Sequence, residues 1–232
     1  MSLLSLAALP AMSQSAVLSN PGNHARWGIR ASLDISVPGK INGAKVYHND
    51  VGFSAGVVYQ LPLVANLYFE PGLGIFYNTI GANQWTSFTE EVTNPSTGVV
   101  EDVEVPYQID GSIRNFGFRI PLLIGYHFDF TEDIKVNVFT GPQLNLSLVS
   151  RYHQDEVKVP GYESPSSSTS LFGTNGFKHA DLQWKFGVGI SYQKYYLDLS
   201  GAWGMTKIMS TSEFAPRNIR RNLFSITLGY NF

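Results

Sequence analysis

At 232 residues the chain has room for one substantial domain or two small ones, and a net charge of −2 offers no cluster of Lys and Arg suited to a nucleic-acid backbone. Charged residues are 15 % of the chain, below the roughly 25 % of soluble domains, while aromatics reach 13 % and glycine numbers 22. Cysteine is absent, which excludes disulfides, thiolate metal sites, cysteine nucleophiles and cysteine-linked lipid anchors, and no apolar run is long enough for a transmembrane helix.

The start, "MSLLSLAALPAMSQSAVLSN", has a short apolar core from Leu3 to Met12, then the small-x-small pattern Ala11-Met12-Ser13 ahead of Gln14. It reads as a secretory signal over residues 1–13, truncated at its basic beginning, ahead of one domain over residues 24–232. Export without cysteines suits a closed barrel, whose backbone hydrogen bonds need no disulfides.

From Arg26 onward the chain alternates with a period of two, the signature of strands. Arg26 to Val37 sets Trp27, Ile29, Ala31, Leu33 and Ile35 against Gly28, Arg30, Ser32 and Asp34. Val51 to Leu61 sets Phe53, Val57 and Tyr59 against Gly52, Ser54, Gly56 and Gln60, and Asn66 to Asn78 sets Leu67, Phe69, Leu73, Ile75 and Tyr77 against Tyr68, Glu70, Gly72 and Gly74. Ile113 to Phe128 carries Phe116, Phe118, Ile120, Leu122, Ile124 and Tyr126 opposite Asn115, Gly117, Arg119 and His127. The stretch from Ile134 to Leu148 keeps one parity across Pro142, with Lys135, Asn137, Gln143, Asn145 and Ser147 on the other face. Leu182 to Tyr192, Tyr195 to Met205 and the terminal "RNLFSITLGYNF" follow the same rule, with Lys185 and Asp198 on the polar faces.

Eight such segments of about ten residues each match the length of tilted strands that cross a bilayer, whereas soluble sandwiches prefer about five or six residues. The links alternate as well. "PLVAN", "DFTED" and "QK" are short, while Pro38 to Asp50, Gly81 to Ser112, Ser150 to Ala180 and Lys207 to Arg220 are long. Short turns on one side and long loops on the other, with an even strand count, predict an all-β, eight-stranded antiparallel transmembrane up-and-down barrel with periplasmic termini and extracellular loops. Trp27, Tyr59, Tyr126, Phe128, Tyr192, Tyr195, Tyr230 and Phe232 gather near the short-turn side as an interfacial aromatic girdle.

The apolar face of these segments carries no charge, so Arg30, Asp34, Glu70, Arg119, Lys135, Lys185 and Asp198 are expected to point inward as a polar network plugging the lumen. The histidines show no metal-like spacing, and neither a cofactor nor a phosphate loop is expected. His153 and His179 bracket Glu163, Ser164 and Ser166 to Ser168, a set that reads as solvated turns rather than a catalytic triad.

The loop Gly81 to Ser112 is acidic and holds "EEVTNPSTGVVEDVEVPYQ", a hairpin signal centred on residues 94–98. Lys207, Arg217, Arg220 and Arg221 make a basic counterpart, with only Glu213 opposing them, suited to grip lipid phosphate or a partner.

The stretches "FRIPLLIGYHFDFTEDIKVNVFTGPQLNLSL", "WKFGVGISYQKYYLDLSGAWGMTKI" and "RNLFSITLGYNF" resemble the PorT-like outer-membrane β-barrels of Bacteroidetes. The resemblance covers residues 113–232 by motif and the first half by topology. It implies an outer-membrane location and a terminal strand, Phe224, Ile226, Leu228, Tyr230 and Phe232, read by the barrel-insertion machinery. The function expected is a structural or partner-binding role in the cell envelope, with outer-membrane lipid and another envelope or secretion protein as partners and no nucleic acid. A type IX secretion accessory and a narrow solute pore are the alternatives.

Overall fold

The computed structural model describes residues 24–38, 47–82, 84–93, 100–159, 162–173, 176–208 and 220–232. The signal expected over residues 1–13, the hairpin turn at 94–98, Glu213 and Arg217 lie outside the described residues. The elements are β1 (Arg26–Ser36), β2 (Tyr47–His48), β3 (Asp50–Pro62), β4 (Leu67–Ala82), β5 (Gln84–Thr93), β6 (Val100–Ile109), β7 (Gly111–Asp129), β8 (Ile134–Gln154), β9 (Val157–Val159), β10 (Tyr162–Ser164), β11 (Ser167–Ser170), β12 (Ala180–Tyr192), β13 (Tyr195–Gly204) and β14 (Leu223–Asn231).

Eight of these close a cylinder in the order β1-β3-β4-β7-β8-β12-β13-β14, every pairing antiparallel between chain neighbours. The last strand shuts it against the first, from Gly28 opposite Asn231 to Ser36 opposite Leu223. Closure removes the sheet edges, which is what allows a β-structure to sit in lipid. The aliphatic and aromatic set expected to face outward does so: Trp27, Phe53, Leu73, Ile124, Val188, Leu199 and Leu228 are all exposed large hydrophobics.

Three features go beyond the alternation. Leu148 is an extra residue in β8, because Phe116 pairs with Val149 while Gly117 pairs with Ser147. At this bulge Leu148 and Val149 both face out, and Ser150 turns inward to donate to Asn115 Oδ1 at 2.6 Å. The single parity expected through Leu148 therefore ends there. Second, Pro71, Pro121 and Pro142 sit on the neighbouring strands β4, β7 and β8, and the ladders skip beside them: β4 against β7 passes from Pro71–Leu122 directly to Gly74–Arg119. Proline has no N–H to give a ladder, so the skips are its direct consequence.

Third, the inner face is not only small and polar. Phe76, Phe139, Tyr68, Tyr196, Leu123 and Val58 are buried within the cylinder, and glycines on facing strands make room for the rings. A Cβ on Gly125 would meet the Tyr68 ring at 2.2 Å, and one on Gly187 would meet Phe139 at 2.5 Å. Tyr68 cannot swing away cheaply, because it is 2 % exposed and stacks on His127 with ring centroids 4.3 Å apart. Gly125→Val should cost about 1–3 kcal/mol by overpacking, read as a lower urea midpoint for refolding into lipid vesicles.

Candidate functional site

The site-forming feature is the lumen, because every strand delivers alternate side chains into it. At the short-turn end Arg26 Nε donates to Gln60 Oε1 at 2.6 Å, and Gln60 Nε2 donates to Glu70 Oε2 at 3.4 Å. His127 is hydrogen-bonded to Asn137, whose Nδ2 donates to Ser191 Oγ at 2.8 Å. Just above, Arg30 forms an ion pair with Glu70 at 3.3 Å, donates to Asn231 Oδ1 at 2.9 Å, and stacks its guanidinium 4.2 Å from the centroid of Tyr196.

The second tier is one connected chain. Ser225 Oγ donates to Asp34 Oδ1 at 2.6 Å, and Arg119 Nη1 donates to Asp34 Oδ2 at 2.8 Å and to Ser54 Oγ at 2.9 Å. Arg119 Nε donates to Asn145 Oδ1 at 3.1 Å, Asn145 Nδ2 to Asp181 Oδ1 at 3.0 Å, and Asp181 pairs with Arg221 at 3.1 Å. Gln143 Nε2 donates to Gln183 Oε1 at 2.7 Å, and Gln183 Nε2 to the Arg221 carbonyl at 2.9 Å. Phe76 lies between the two guanidiniums, 5.3 Å from Arg119 and 5.2 Å from Arg221. Charged groups tolerate such burial only when paired and hydrogen-bonded, and here each cation meets both a carboxylate and an aromatic face.

Between the tiers is a cavity of about 60 Å³ bordered by Arg30, Ser32, Ser54, Glu70, Lys185 and Asp198. Gly56 and Gly74, register partners on β3 and β4, also line it. Room on that scale suits a few waters, not a solute.

Above the second tier the lumen is closed by an apolar cluster of Tyr47, Ile80, Ala82, Ile113, Leu171, Phe177 and Ile208. Ile208 is 0 % exposed and Ile80 1 %. The cluster is drawn from β2, the long-loop ends of β4 and β7, and two loop segments. The Lys178 amide donates to the Ile208 carbonyl at 2.8 Å and the Leu171 amide to Ser150 at 3.0 Å, which fixes those segments over the mouth. Burial there pushes the Tyr47 hydroxyl above its ordinary range.

The seven charged residues expected in the lumen separate under this geometry. Arg30, Asp34, Glu70 and Arg119 form the two ion pairs. Asp198 is 3 % exposed and accepts from Ser200 at 2.9 Å, while Lys185 borders the cavity with its ammonium 5.6 Å from the Phe139 centroid. Lys135 does not join the network: it sits beside the β7–β8 turn and pairs across the hairpin with the exposed Asp129 at 3.4 Å.

Arg221 requires a correction. Read as a rim cation free to hold lipid phosphate or a partner, it is 1 % exposed and pairs with Asp181 inside the barrel. The reason is parity, since Arg221 continues the inward series of Leu223, Ser225 and Thr227, and that series was visible in the sequence. Lys207 and Arg220 are exposed and bridge each other's backbones. Asp181, Gln143 and Gln183 were missed because they lie at segment ends or were read as simple polar filler.

Outside the lumen, His153 approaches Asp155 at 3.6 Å and opposes Ser168 across β8 and β11, whereas His179 stacks on Phe172 at 3.9 Å. The two histidines therefore engage different partners. Among the described residues no group of His, Asp and Glu has the arrangement of a metal site.

A family model described as an outer membrane protein beta-barrel domain matches residues 12–210. No curated protein matches the chain. Among solved structures it is similar to Ail, the attachment invasion locus protein of Yersinia pestis, in complex with the heparin analogue sucrose octasulfate. That likeness has 14 % identity over 90 % of this chain and 100 % of that one, with a TM-score of 0.42. It is also similar to Neisserial surface protein A, at 16 % identity over 90 % of this chain and 100 % of that one, TM-score 0.41. Outer membrane protein W of E. coli aligns at 12 % identity over 91 % of this chain and 100 % of that one, TM-score 0.36. The chain belongs to the outer membrane protein β-barrel family, and is an integral protein of the outer membrane.

Proposed function

We propose that this member of the outer membrane β-barrel family is a sealed, non-enzymatic anchor: a barrel that carries no solute and holds its long loops as a binding platform at the cell surface. The observation that carries the reading is the sequence of closures along one lumen, the Arg30–Glu70 tier, the Asp34–Arg119–Asn145–Asp181–Arg221 chain, and the apolar cluster around Ile208. An ion pathway needs a continuous wet route lined by polar groups, and the Ile208 cluster is a dry stop on that route. This favours a sealed barrel over a narrow pore.

The orientation that goes with it puts residues 63–66, 130–133 and 193–194 and the termini in the periplasm and the long loops outside. The motifs "IPLLIGYHF" and "TGPQL" support a PorT-like member, with the outward residues Phe224, Ile226, Leu228, Tyr230 and Phe232 as the insertion signal. That same resemblance is what favours a second reading, an accessory of type IX secretion.

Reconstitution into liposomes tests the sealed lumen. Vesicles carrying the barrel should hold an osmotic gradient of a small sugar as long as protein-free vesicles do. Swelling at a rate proportional to the barrel content would overturn the reading. Ile208→Asp, which places a charge in the cap, and Arg119→Ser should each leave the vesicles tight, since the remaining closures suffice.

A further inference from the structure

Beyond the barrel, β4 and β7 lead into β5 and β6, a ribbon of ten register pairs from Gln84–Ile109 to Thr93–Val100. Its ladder is separate from that of the barrel sheet. Ten strand residues span roughly 30 Å, long enough to reach beyond the rim.

Two-stranded ribbons without further cover are marginal in water, and this one leaves Val100 55 % and Val103 42 % exposed. Its two edges are not equivalent. β6 carries Pro106, which lacks an N–H, whereas β5, "QWTSFTEEVT", has neither a proline nor the lysine that commonly guards an edge. Among the described residues no strand pairs with the outer side of β5.

The charge of the ribbon says what could add there. Residues 84–109 hold Glu90, Glu91, Glu101, Asp102 and Glu104 and no Lys, Arg or His. A second copy of the ribbon would set acids against acids, so self-pairing is opposed. Of the chain's own exposed cations, Arg114 and Arg151 lie on β7 and β8 and are already paired there on both sides, while Lys207 and Arg220 follow β13 and precede β14, on the far side of the barrel from β4 and β7.

We infer that the outer edge of β5 is a docking site for an extended, basic segment of another envelope protein, which adds to the ribbon as a third strand. Backbone hydrogen bonds along β5 supply the adhesion, and the acids supply selection for Lys- or Arg-bearing strands. This goes beyond the sealed-anchor reading by naming the partner chemistry, and it stands or falls separately from the leakage result.

The test uses the whole barrel in lipid nanodiscs and three blocked ten-residue peptides: alternating Lys and Val, alternating Glu and Val, and the Lys–Val peptide with two central prolines. Hydrogen–deuterium exchange should slow in residues 84–93 with the Lys–Val peptide and with neither of the others, and its affinity should fall about tenfold on raising salt from low to several times physiological. Reversing four of the five charges, Glu90→Lys, Glu91→Lys, Glu101→Lys and Glu104→Lys together, makes the ribbon net positive and should transfer the preference to the Glu–Val peptide, a gain that a misfolded ribbon could not produce. Equal binding of all three peptides, protection confined to the barrel, or charge-dependent self-association of the barrel without peptide would each overturn the inference.

Discussion

Arg119→Met should destabilise the barrel by about 3–5 kcal/mol, the effect of stranding a buried carboxylate, as measured by urea titration of folding into vesicles. Asp34 is 0 % exposed, and the two side chains meet at 2.8 Å. Arg119 also donates to Ser54 and Asn145, so its removal opens the second tier at three points. Adding Asp34→Asn should recover more than half of the loss. The neutral amide no longer needs a counter-charge, and its oxygen still accepts from Ser225. If the double variant is as unstable as the single one, the pair is not the element that holds this tier together. Lys135→Met offers the comparison: its partner Asp129 is exposed, so a shift under about 1 kcal/mol is expected.

Ile226→Arg should cost about 2–4 kcal/mol in bilayers, as a charge near the middle of the lipid-facing band. Ile226 pairs with Leu33 on one side and Leu199 on the other, and all three face outward. The same substitution should also slow assembly in cells, because it falls within the terminal strand proposed as the insertion signal. Thickness dependence separates the two effects: the equilibrium cost should shrink in short-chain lipids, and a cost indifferent to lipid thickness would argue that residue 226 does not face acyl chains. Ile226→Ala provides the baseline for lost side-chain volume.

The cylinder was legible because a barrel repeats one simple rule. Segments such as Trp27 to Ile35 or Trp184 to Tyr192 alternate without interruption, and lipid on one side allows no exceptions of charge. Ends and irregularities were less legible. The Leu148 bulge leaves no mark in the pattern, because Leu148 and Val149 are both acceptable to lipid. The outward face was therefore easier to read than the inward one, where hydrogen-bond partners come from strands far apart in sequence.

Asp34 and Arg119 are separated by 85 positions and Ser225 and Asp34 by 191, so only barrel closure brings them together. Arg221 shows the cost of reading charge before parity. It belongs to the inward series of Leu223 and Ser225, yet its neighbours Arg220 and Arg217 made it look like part of a surface patch. The aromatic content of the lumen was hidden for another reason: Phe139 fits beside Gly187, its register partner on β12, and Phe76 lies against the guanidiniums of Arg119 and Arg221, which come from other strands.

Because the chain has no cysteine, a single introduced thiol reports directly on whether water reaches the middle of the lumen. Ser32 borders the cavity between the two tiers and is close to cysteine in size, while Thr89 is exposed on the ribbon. In bilayers, a charged membrane-impermeant thiol reagent added to both sides should modify Thr89→Cys within minutes and leave Ser32→Cys untouched until the barrel is unfolded. Modification of Ser32→Cys at a rate close to that of Thr89→Cys would show an open lumen and contradict the sealed barrel.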